Sequence, residues 1–326
     1  MPFRIGIIGA GTHGARYLRH GSKDVPGMKP VVVCRRGREQ GEALARQWQC
    51  RYRAVAESVA VDPEVDGVVV CTPPSTHFPF AKAVLAAGKA LLLEKPMTGT
   101  LDEARQLVAL GEASSAPPLM VAQTLRWNPA ILRAKELWPQ LGRVHMLRLV
   151  QRLSPTELAW QRDRQQSVGG SVLLTGVHMF DLVRFLTGQE IVEVDSRQRQ
   201  VLNPVTEDHF LTRAVMSDGC WVTFEVSKYT QSRACWLEAV GEEGQLQVDY
   251  YYGGLQLRRG GEIEQIAAEA QVPTLPAVLQ DWLQSAQAGK PAPVTVHDGL
   301  RTLEVVEACY LSHRKERPVT LAELES

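Results

Sequence analysis

Lys95 is the first of two ionisable residues in this sequence whose positions suit acid-base chemistry. It is separated from the apolar run 90–93 by Glu94 alone and precedes Pro96, which restricts the local backbone. If the run is a buried strand, the Lys95 ammonium projects over the carboxyl edge of a sheet, where open α/β sheets bind ligands. There it could polarise a carbonyl or stabilise an alkoxide. The alternative is an ordinary solvent-exposed lysine.

His178 is the second such residue, and it follows the small residues 169–171 near the start of an apolar helical segment. Small residues permit close approach of a ligand, and a neutral imidazole can exchange a proton with a hydroxyl near pH 7. Taken alone, the spacing fits a core histidine bonded to a backbone carbonyl more often than an acid-base group. Asp181, one helical turn later, is expected to make structural hydrogen bonds.

A glycine-rich turn at the beginning of the chain supplies a reason to expect a cofactor. Residues 3–8 are a run of β-formers that leads directly into Gly9-x-Gly11-x-x-Gly14, as expected for a buried strand turning into a helix. Gly9 permits the tight turn, Gly11 lets the backbone approach a pyrophosphate, and Gly14 lets the helix lie close to the strand. The next β-rich run, 31–34, completes a βαβ unit. The pattern predicts a dinucleotide site; the alternative is a strand-turn-helix without a ligand.

The residues after the second strand bear on which dinucleotide is bound. A carboxylate there would accept hydrogen bonds from the adenosine ribose, but the chain has Arg35 and Arg36. Two guanidinium groups suit a 2′-phosphate, because the planar fork can bind it through two hydrogen bonds. We therefore expect NADP to be preferred, with NAD possible. The alternative is a solvated pair of arginines at a strand end.

Further cofactor contacts are expected where other strands end. The buried run 65–71 ends in Thr72-Pro73-Pro74, and the two prolines force the chain out of the sheet at its ligand-binding edge. The predicted cofactor-binding residues are Gly9, Gly11, Thr12, His13, Gly14, Arg35, Arg36, Thr72, Pro73, Pro74, His77, Glu94 and Lys95.

The order of elements predicts an α/β protein of two domains. The first half alternates strands and helices, including a helix opened by the capping box at Thr100 and a linker at 114–118. The second half shows alternating runs at 144–149, 210–216 and 220–226 that are typical of antiparallel strands. We expect a doubly wound parallel sheet in residues 1–122, and an α/β domain with a large, mostly antiparallel open sheet in residues 123–326.

Composition excludes few classes of protein, but it bears on the partners and the compartment expected for this one. Lys plus Arg equals Asp plus Glu at 36 each, so net charge gives no argument for nucleic acid or an anionic membrane surface. The six cysteines show neither a Cys-x-x-Cys pair nor a histidine at metal-ligand spacing, so no metal site is expected. The first strand begins at the amino terminus, and no apolar run approaches the roughly 18 residues that span a bilayer. The sequence predicts a cytoplasmic protein.

Together these motifs resemble the family of glucose-fructose oxidoreductase, inositol dehydrogenase and rhizopine-catabolism dehydrogenase, called the Gfo/Idh/MocA family. The resemblance covers nearly the whole chain in order, and Glu94-Lys95-Pro96 is its most specific motif. It also involves residues 9–14, Thr72-Pro73-Pro74, Arg126-Trp127-Asn128-Pro129, the segment from Gly169 to His178 and the closing helix around 304–312.

The resemblance implies a Rossmann domain followed by an α/β domain whose open sheet often forms a dimer or tetramer interface. It implies that Lys95 lies in the catalytic site and that His178 transfers the proton. Typical substrates of the family are sugars, cyclic polyols and related carbonyl compounds. The substrate-binding residues expected on this basis are Lys95, Arg126, Asn128, Asp163 and His178.

One position departs from the pattern of many dehydrogenases in this family. They carry an aspartate one helical turn before the histidine, where this chain has Leu174. A leucine cannot orient an imidazole or hold a polyol hydroxyl. Either His178 and Lys95 suffice, another polar group such as Asp163 or Arg126 substitutes, or dehydrogenation has been lost.

The function expected from the sequence is an NADP-preferring oxidoreductase that transfers hydride to or from a carbonyl or secondary alcohol of a sugar-like or cyclic polyol substrate. Its partners would be that small molecule and further copies of the chain in a homodimer or homotetramer. Two alternatives remain: a catalytically silent NAD(P)-sensing regulatory protein, and a redox-neutral NAD-dependent glycosidase.

Overall fold

The computed structural model describes residues 1–113, 116–269 and 271–324 of the chain. The first two residues of the linker expected at 114–118 therefore lie outside the described residues. The chain divides into two compact units, one formed by Met1–Gln123 with Thr274–Leu300, the other by Thr124–Pro273 with the chain from Arg301 onward. The first unit thus includes a late segment of the sequence. The domain boundary at residues 122 and 123 stays a prediction.

The strands that the structure describes belong to two sheets, one in each unit. They are β1 (Phe3–Ile8), β2 (Met28–Cys34), β3 (Arg51–Arg53), β4 (Gly67–Val70), β5 (Ala90–Glu94), β6 (Leu119–Ala122), β7 (Val144–Arg152), β8 (Ile191–Arg199), β9 (His209–Met216), β10 (Trp221–Ser227), β11 (Ala234–Gly241), β12 (Gln245–Asp249), β13 (Leu255–Arg259), β14 (Glu262–Ile266) and β15 (Val319–Thr320).

The α-helices within the described residues range from four to twenty residues in length. They are α1 (Gly14–Lys23), α2 (Arg38–Gln47), α3 (Glu57–Ala60), α4 (His77–Ala86), α5 (Leu101–Gly111), α6 (Pro129–Leu137), α7 (Arg164–Ser167), α8 (Val177–Thr187), α9 (Leu275–Ala288) and α10 (Val296–Lys315).

The sheet of the first unit is parallel throughout and has the order β3-β2-β1-β4-β5-β6. Every residue of β4, β5 and β6 is buried, so both faces of these strands are covered. The predicted doubly wound sheet is confirmed. Because β1, β4 and β5 are neighbours, the loops that follow them meet at one edge of the sheet, where ligands bind in such folds.

Two short elements of the first unit were not predicted. The sequence analysis missed β3 and α3, which are only three and four residues long and too short to show a periodic pattern. The helix α1 continues past Gly21 to Lys23 and buries that glycine. A side chain at Gly21 would press against Ile5 and Met28, so close packing explains the glycine better than helix termination.

The sheet of the second unit has the order β14-β13-β12-β11-β7-β10-β9-β8-β15 and is mostly antiparallel, as predicted. The hairpin between β9 and β10 is confirmed by its antiparallel register. One expectation needs correction, because β7 and β10 pair in parallel. Alternating hydrophobicity reports which face of a strand is buried and carries no information about strand direction. The sequence analysis also missed α6, β8, β13, β14 and β15.

The core of the second unit is built around α8, which enters through a π-helical turn at Val172–Gly176. Phe180 on this helix contacts Phe224 edge to face, with ring centroids 5.0 Å apart, and also packs against Phe210. Aromatic contacts of Phe180 therefore join the sheet to the helix that also carries His178.

A test by length and hydropathy alone selects the helical stretch Arg164–Thr187 as able to cross a membrane. However, 78% of its most apolar window is buried inside the protein, and a core helix of a soluble protein passes the same test. The expectation that no segment approaches this length and hydropathy is corrected to that extent. The cytoplasmic location stays a prediction.

Candidate functional site

The glycine-rich turn after β1 is packed tightly at two positions and open at the third. Gly9 has a φ of +96°, and a Cβ there would lie 2.3 Å from the carbonyl oxygen of Cys71. A Cβ at Gly14 would lie 2.2 Å from the carbonyl oxygen of Gly9. By contrast, a Cβ at Gly11 would meet no atom within 4 Å. Protein atoms therefore pack closely against Gly9 and Gly14, whereas the loop at Gly11 is accessible to a ligand.

The amino-terminal end of α1 has the electrostatic character of an anion site. His13 occupies the N-cap position without capping the helix through its side chain, and the first turn of the helix carries no acidic residue. No carboxylate of the helix itself therefore opposes the interaction of its dipole with an anion. Such an end binds phosphate through its backbone amides. Thr12 and His13 lie in this turn, as the sequence analysis expected of cofactor-binding residues.

Glu94 connects the glycine-rich turn to the end of β5. Its Oε1 accepts hydrogen bonds from Tyr17 Oη at 2.6 Å and from His13 Nε2 at 2.7 Å, and its Oε2 accepts the Lys95 backbone N–H at 3.0 Å. Burial alone raises the pKa of Glu94, but the charge and hydrogen bond of His13, together with Lys95 and Tyr17, hold that pKa at about 2. Glu94 is thus a buried anion that positions its neighbours.

The ligand atoms of His13, Cys71 and Glu94 also lie within 4.8 Å of one another. A nitrogen, sulfur and oxygen set of this kind is chemically able to bind a borderline metal ion. Burial raises the pKa of the Cys71 thiol well above its ordinary value, and the negative charge of Glu94 raises it further. The thiol is therefore protonated, and the His13–Glu94 hydrogen bond is what connects the cluster.

Lys95 lies at the ligand edge of the parallel sheet, immediately after β5. The residue is half-buried, and burial lowers the pKa of its ammonium, while the charge of Glu94 raises it. The ammonium is therefore less strongly protonated than that of a surface lysine. This sheltered cation is what a developing alkoxide would require.

His77 has a different place from the one expected of a cofactor contact. It is 1% exposed, and its two ring nitrogens lie 2.7 Å from the carbonyl oxygens of Pro96 and Thr72. Burial lowers the pKa of this imidazole. His77 thus joins the loops that follow β4 and β5 and leaves no ring nitrogen for a ligand.

The loop after β4 leaves the sheet at its prolines. Pro73 is extended, and Pro74 is buried and opens the short 3₁₀ turn Pro74–Thr76. Thr76 Oγ1 donates to Thr72 Oγ1 at 2.9 Å and lies at the same distance from the Pro73 carbonyl oxygen. This loop is braced internally and lies beside the glycine-rich turn.

The arginines after β2 differ in their surroundings. Arg35 Nη1 donates to the carbonyl oxygen of Ala10 at 3.0 Å, which places this guanidinium on the glycine-rich turn. Tyr52 Oη donates to the Arg35 carbonyl oxygen. Arg36 is exposed. Arg35 is therefore the better positioned of the two for a cofactor phosphate.

In the second unit, His178 is the second residue of α8 and is half-buried. Leu174 precedes it by one turn, lies within the π-helical turn and is 7% exposed. A buried apolar side chain therefore occupies the position where many relatives in the resembled family carry an aspartate.

Gly169 and Gly170, which precede this helix, are in close contact with other parts of the protein. A Cβ at Gly169 would lie 2.4 Å from Tyr310 Oη, and one at Gly170 would lie 2.1 Å from the carbonyl oxygen of Glu207. The expectation that these small residues admit a ligand is therefore corrected, because Tyr310 and Glu207 occupy the space. The sequence analysis missed both residues; a Gly-Gly pair signals a close neighbour without identifying it.

Glu207 anchors the start of the helical segment that carries His178. Its Oε1 accepts hydrogen bonds from Tyr310 Oη at 2.9 Å and from the backbone N–H groups of Gly170 and Val172, both at 3.1 Å. Burial raises the pKa of Glu207, and these hydrogen bonds only partly oppose the effect. A small cavity of about 40 Å³ adjoins this carboxyl, with Gln161, Ser171, Leu174, Asn203 and Lys228 among its lining residues.

The other expected substrate-binding residues have structural partners. Arg126 forms two hydrogen bonds to Asp181, at 2.8 and 2.6 Å, which confirms the structural role expected of Asp181. Asn128 caps α6 and donates to the carbonyl oxygen of Tyr250. Asp163 caps α7, and a hydrogen bond from Gln166 lowers the pKa of its carboxyl. In the described residues, the sequence candidates for replacing the missing aspartate are thus engaged elsewhere.

Comparisons with known proteins match nearly the whole chain. Residues 3–123 match the model described as oxidoreductase family, NAD-binding Rossmann fold, and residues 139–321 match its C-terminal alpha/beta domain. Inositol 2-dehydrogenase 2 of Saccharopolyspora erythraea is 28% identical, over 95% of this chain and 92% of its own. D-apiose dehydrogenase of Paraburkholderia graminis is 26% identical, over 99% and 91%. The structure of GenD2 from gentamicin A biosynthesis, in complex with NAD, aligns with a TM-score of 0.87 at 26% identity, covering 98% of this chain and 96% of its own.

Proposed function

Because the chain belongs to the Gfo/Idh/MocA family of oxidoreductases, we propose that it transfers hydride between NADP and a secondary alcohol or carbonyl of a sugar-like or cyclic polyol substrate. The observation that carries this proposal is the ligand edge of the parallel sheet. There the open turn at Gly11, the Arg35 guanidinium and the half-buried Lys95 follow strands of one sheet. The named relatives act on inositol and apiose, which supports a polyhydroxylated substrate.

In the proposed reaction, the chain manages charge and protons around the substrate oxygen. The bound nicotinamide supplies or accepts the hydride. When an alcohol is oxidised, its carbon loses hydride and its hydroxyl loses a proton, which His178 accepts; reduction reverses both transfers. Lys95 holds positive charge beside the oxygen while that oxygen carries negative charge. Glu94 fixes the backbone of Lys95 and the side chain of His13.

The experiment that tests this proposal follows nicotinamide absorbance with NADPH and NADP⁺. Purified protein is assayed against one panel of inositols, aldoses, ketoses and aromatic dihydrodiols, and cofactor binding is measured in the same samples. We expect turnover with at least one cyclic polyol or sugar. Cofactor binding without turnover across the panel would contradict the proposal.

Leu174 favours a second candidate, an NAD(P)-sensing protein without dehydrogenase activity. The buried leucine removes the carboxylate that orients histidine in many relatives of the resembled family, and Asp163 and Arg126 are engaged elsewhere. Bound cofactor with no net absorbance change would favour this sensor or the redox-neutral glycosidase. Release of sugar from a glycoside in the presence of NAD would distinguish the glycosidase.

The outer face of the second unit's sheet supports a homo-oligomer. Trp221 is 61% exposed and lies opposite Met146, also exposed, on the neighbouring strand. On the same face Arg152 pairs with Glu225 at 2.8 Å, so the surface combines apolar area with both signs of charge. A second copy of this chain would present complementary groups to such a face. We propose a homodimer or homotetramer through this sheet.

Replacing Trp221 tests the proposed interface. We expect Trp221→Glu to reduce the mass measured by light scattering to that of the monomer, because it places a charge within the apolar area. Tyr252→Glu, at another exposed aromatic residue, is the matched control. An unchanged oligomer in Trp221→Glu, or a monomeric parent, would contradict an interface at this face.

A further inference from the structure

The carboxyl of Glu207 uses only one of its oxygens to hold the protein together. Tyr310 and the backbone N–H groups of Gly170 and Val172 all donate to Oε1. No corresponding donor to Oε2 is found within the part of the chain that the structure describes. The second oxygen of this carboxyl is therefore available to a ligand on the side of the adjoining cavity.

Ser171 places a second polar group at the same cavity. The residue is 1% exposed, and its Oγ has no hydrogen-bond partner among the described residues. Buried hydroxyl groups almost always have a partner, in the protein, in water or in a ligand. Its backbone N–H donates to the Glu207 carbonyl oxygen at 2.7 Å, so Ser171 and Glu207 are fixed relative to each other.

Other polar groups around the cavity already have structural roles. The Asp208 carboxylate accepts the backbone N–H groups of residues 201, 202 and 203. Thr206 Oγ1 accepts a hydrogen bond from the Asn203 side chain, and Lys228 Nζ donates to Gln161 Oε1. Besides Thr156, Gln161 and Arg162, which also line the cavity, the groups that remain for a ligand are Ser171 Oγ and Glu207 Oε2.

We infer that this cavity is a subsite for one hydroxyl group of a polyhydroxylated ligand, which hydrogen-bonds to Ser171 Oγ and Glu207 Oε2. The inference rests on the proposed function for the class of substrate. A volume of about 40 Å³ is enough to admit a hydroxyl or hydroxymethyl group.

The subsite also accounts for the chemistry lost at Leu174. The leucine forms an apolar wall of the same cavity, while Glu207 brings a carboxyl to it from the loop before β9. Burial raises the pKa of Glu207, so its carboxyl can donate as well as accept a hydrogen bond in its protonated form. The carboxyl is thus supplied by a different part of the chain.

The test compares Ser171→Ala with Ser167→Ala. Both serines are buried and lack a described partner for the hydroxyl, but only Ser171 lines the cavity. For the best polyol of the panel, we expect Ser171→Ala to lower kcat/KM roughly fivefold to tenfold, as loss of one hydrogen bond predicts. Ser167→Ala should leave it unchanged. Cofactor affinity should be the same in parent and variants.

A deoxy analogue of the same substrate separates hydrogen bonding from a general structural defect. We expect the parent to prefer the substrate over the analogue that lacks the bound hydroxyl, and Ser171→Ala to lose most of that preference. Glu207→Gln should also reduce the preference while its amide oxygen keeps the anchoring hydrogen bonds. Unchanged discrimination in both variants, across every mono-deoxy analogue, would overturn the subsite.

Direct binding distinguishes failure of the subsite from failure of the dehydrogenase proposal. Binding of myo-inositol to the cofactor-saturated protein is measured by calorimetry in the parent and both serine variants. Weaker binding in Ser171→Ala alone, without turnover in the parent, would retain the subsite and reject the dehydrogenase. Turnover with identical kinetics and binding in all three proteins would retain the dehydrogenase proposal and reject the subsite. Absence of both binding and turnover in the parent would overturn both the subsite and the dehydrogenase proposal.

Discussion

Each unit of the protein holds one sheltered carboxyl that accepts a hydrogen bond from a tyrosine hydroxyl, yet the pKa values of the two carboxyls are shifted in opposite directions. In the first unit Tyr17 donates to Glu94 at 2.6 Å, and the pKa of Glu94 is lowered to about 2. In the second unit Tyr310 donates to Glu207 at 2.9 Å, and the pKa of Glu207 is raised.

The remaining partners of each carboxyl explain the difference. Burial raises the pKa of both groups, but at Glu94 the nearby His13 and Lys95 outweigh it. At Glu207 the other donors are backbone amides, which carry no net charge, so burial prevails. The Glu94 carboxyl is therefore held beside charged side chains, and the Glu207 carboxyl is held by neutral donors.

Removal of Lys95 should have the largest effect on activity, because it deletes the cation of the charged site. We expect Lys95→Met to lower kcat by about 10² to 10³ while NADPH still binds. Lys82→Met, on the exposed face of α4, is the control for loss of a lysine. Steady-state kinetics and cofactor titration measure the effect. Turnover within a few-fold of the parent would show that fixed charge at Lys95 is not used.

The opposite pKa shifts predict opposite dependences of stability on pH. The folded-state pKa of Glu94 is about 2 against an ordinary 4.5, so its contribution is present above pH 4.5 and lost as pH falls toward 2. Relative to Glu94→Gln, the parent should lose roughly 3 kcal/mol of unfolding free energy over that window. The contribution of Glu207 is present below its ordinary pKa and lost as pH rises through the raised value.

Urea unfolding of the parent, Glu94→Gln and Glu207→Gln between pH 6 and pH 3 measures this contrast. The difference between parent and Glu94→Gln should shrink toward acid pH, and that between parent and Glu207→Gln should grow. Two difference curves with the same slope would contradict the assignment of charge to one site and neutral donors to the other.

Replacement of Arg35 tests whether its guanidinium binds the 2′-phosphate of the cofactor. We expect Arg35→Asp to weaken NADPH binding at least about tenfold more than NADH binding, because a charge-assisted hydrogen bond is replaced by repulsion. Arg38→Asp, at an exposed arginine of α2 that pairs with Glu42, is the control for the same change of charge. Equal losses for both cofactors, measured by fluorescence titration, would remove the basis for NADP preference.

The sequence was sufficient to predict the glycine-rich turn because its partners lie close along the chain. Gly9 and Gly14 contact each other, and the capping box of α5 joins Thr100 to Glu103. Buried strands 67–70 and 90–94 were equally visible, since both faces are apolar. Local contacts and continuous apolar runs can therefore be predicted directly from the sequence.

Contacts between residues far apart in the sequence could not be predicted in this way. Arg126 meets Asp181 across 55 positions, and Tyr310 meets Glu207 across 103. His77 was expected to face a cofactor, but the fold directs its two nitrogens to backbone carbonyls. Residue type identifies which groups can form hydrogen bonds, whereas tertiary structure decides which of them remain available to a ligand.

The two tyrosine hydroxyls provide the smallest and most direct test of the comparison. Tyr17→Phe removes a donor from an ionised carboxylate, and Tyr310→Phe removes one from a carboxyl whose pKa is raised. A hydrogen bond to a charged group contributes about 1.5 to 3 kcal/mol, and a neutral one about 1 kcal/mol. At pH 4, below the ordinary value of 4.5 from which the pKa of Glu207 is raised, we therefore expect Tyr17→Phe to reduce the unfolding free energy more than Tyr310→Phe, by about 1 kcal/mol. At pH 4, Glu94 remains ionised because its pKa lies near 2, so the cost of Tyr17→Phe should persist. Equal costs for the two variants at pH 4, or a cost of Tyr17→Phe that is lost between pH 7 and pH 4, would mean that neighbouring cations do not keep Glu94 charged.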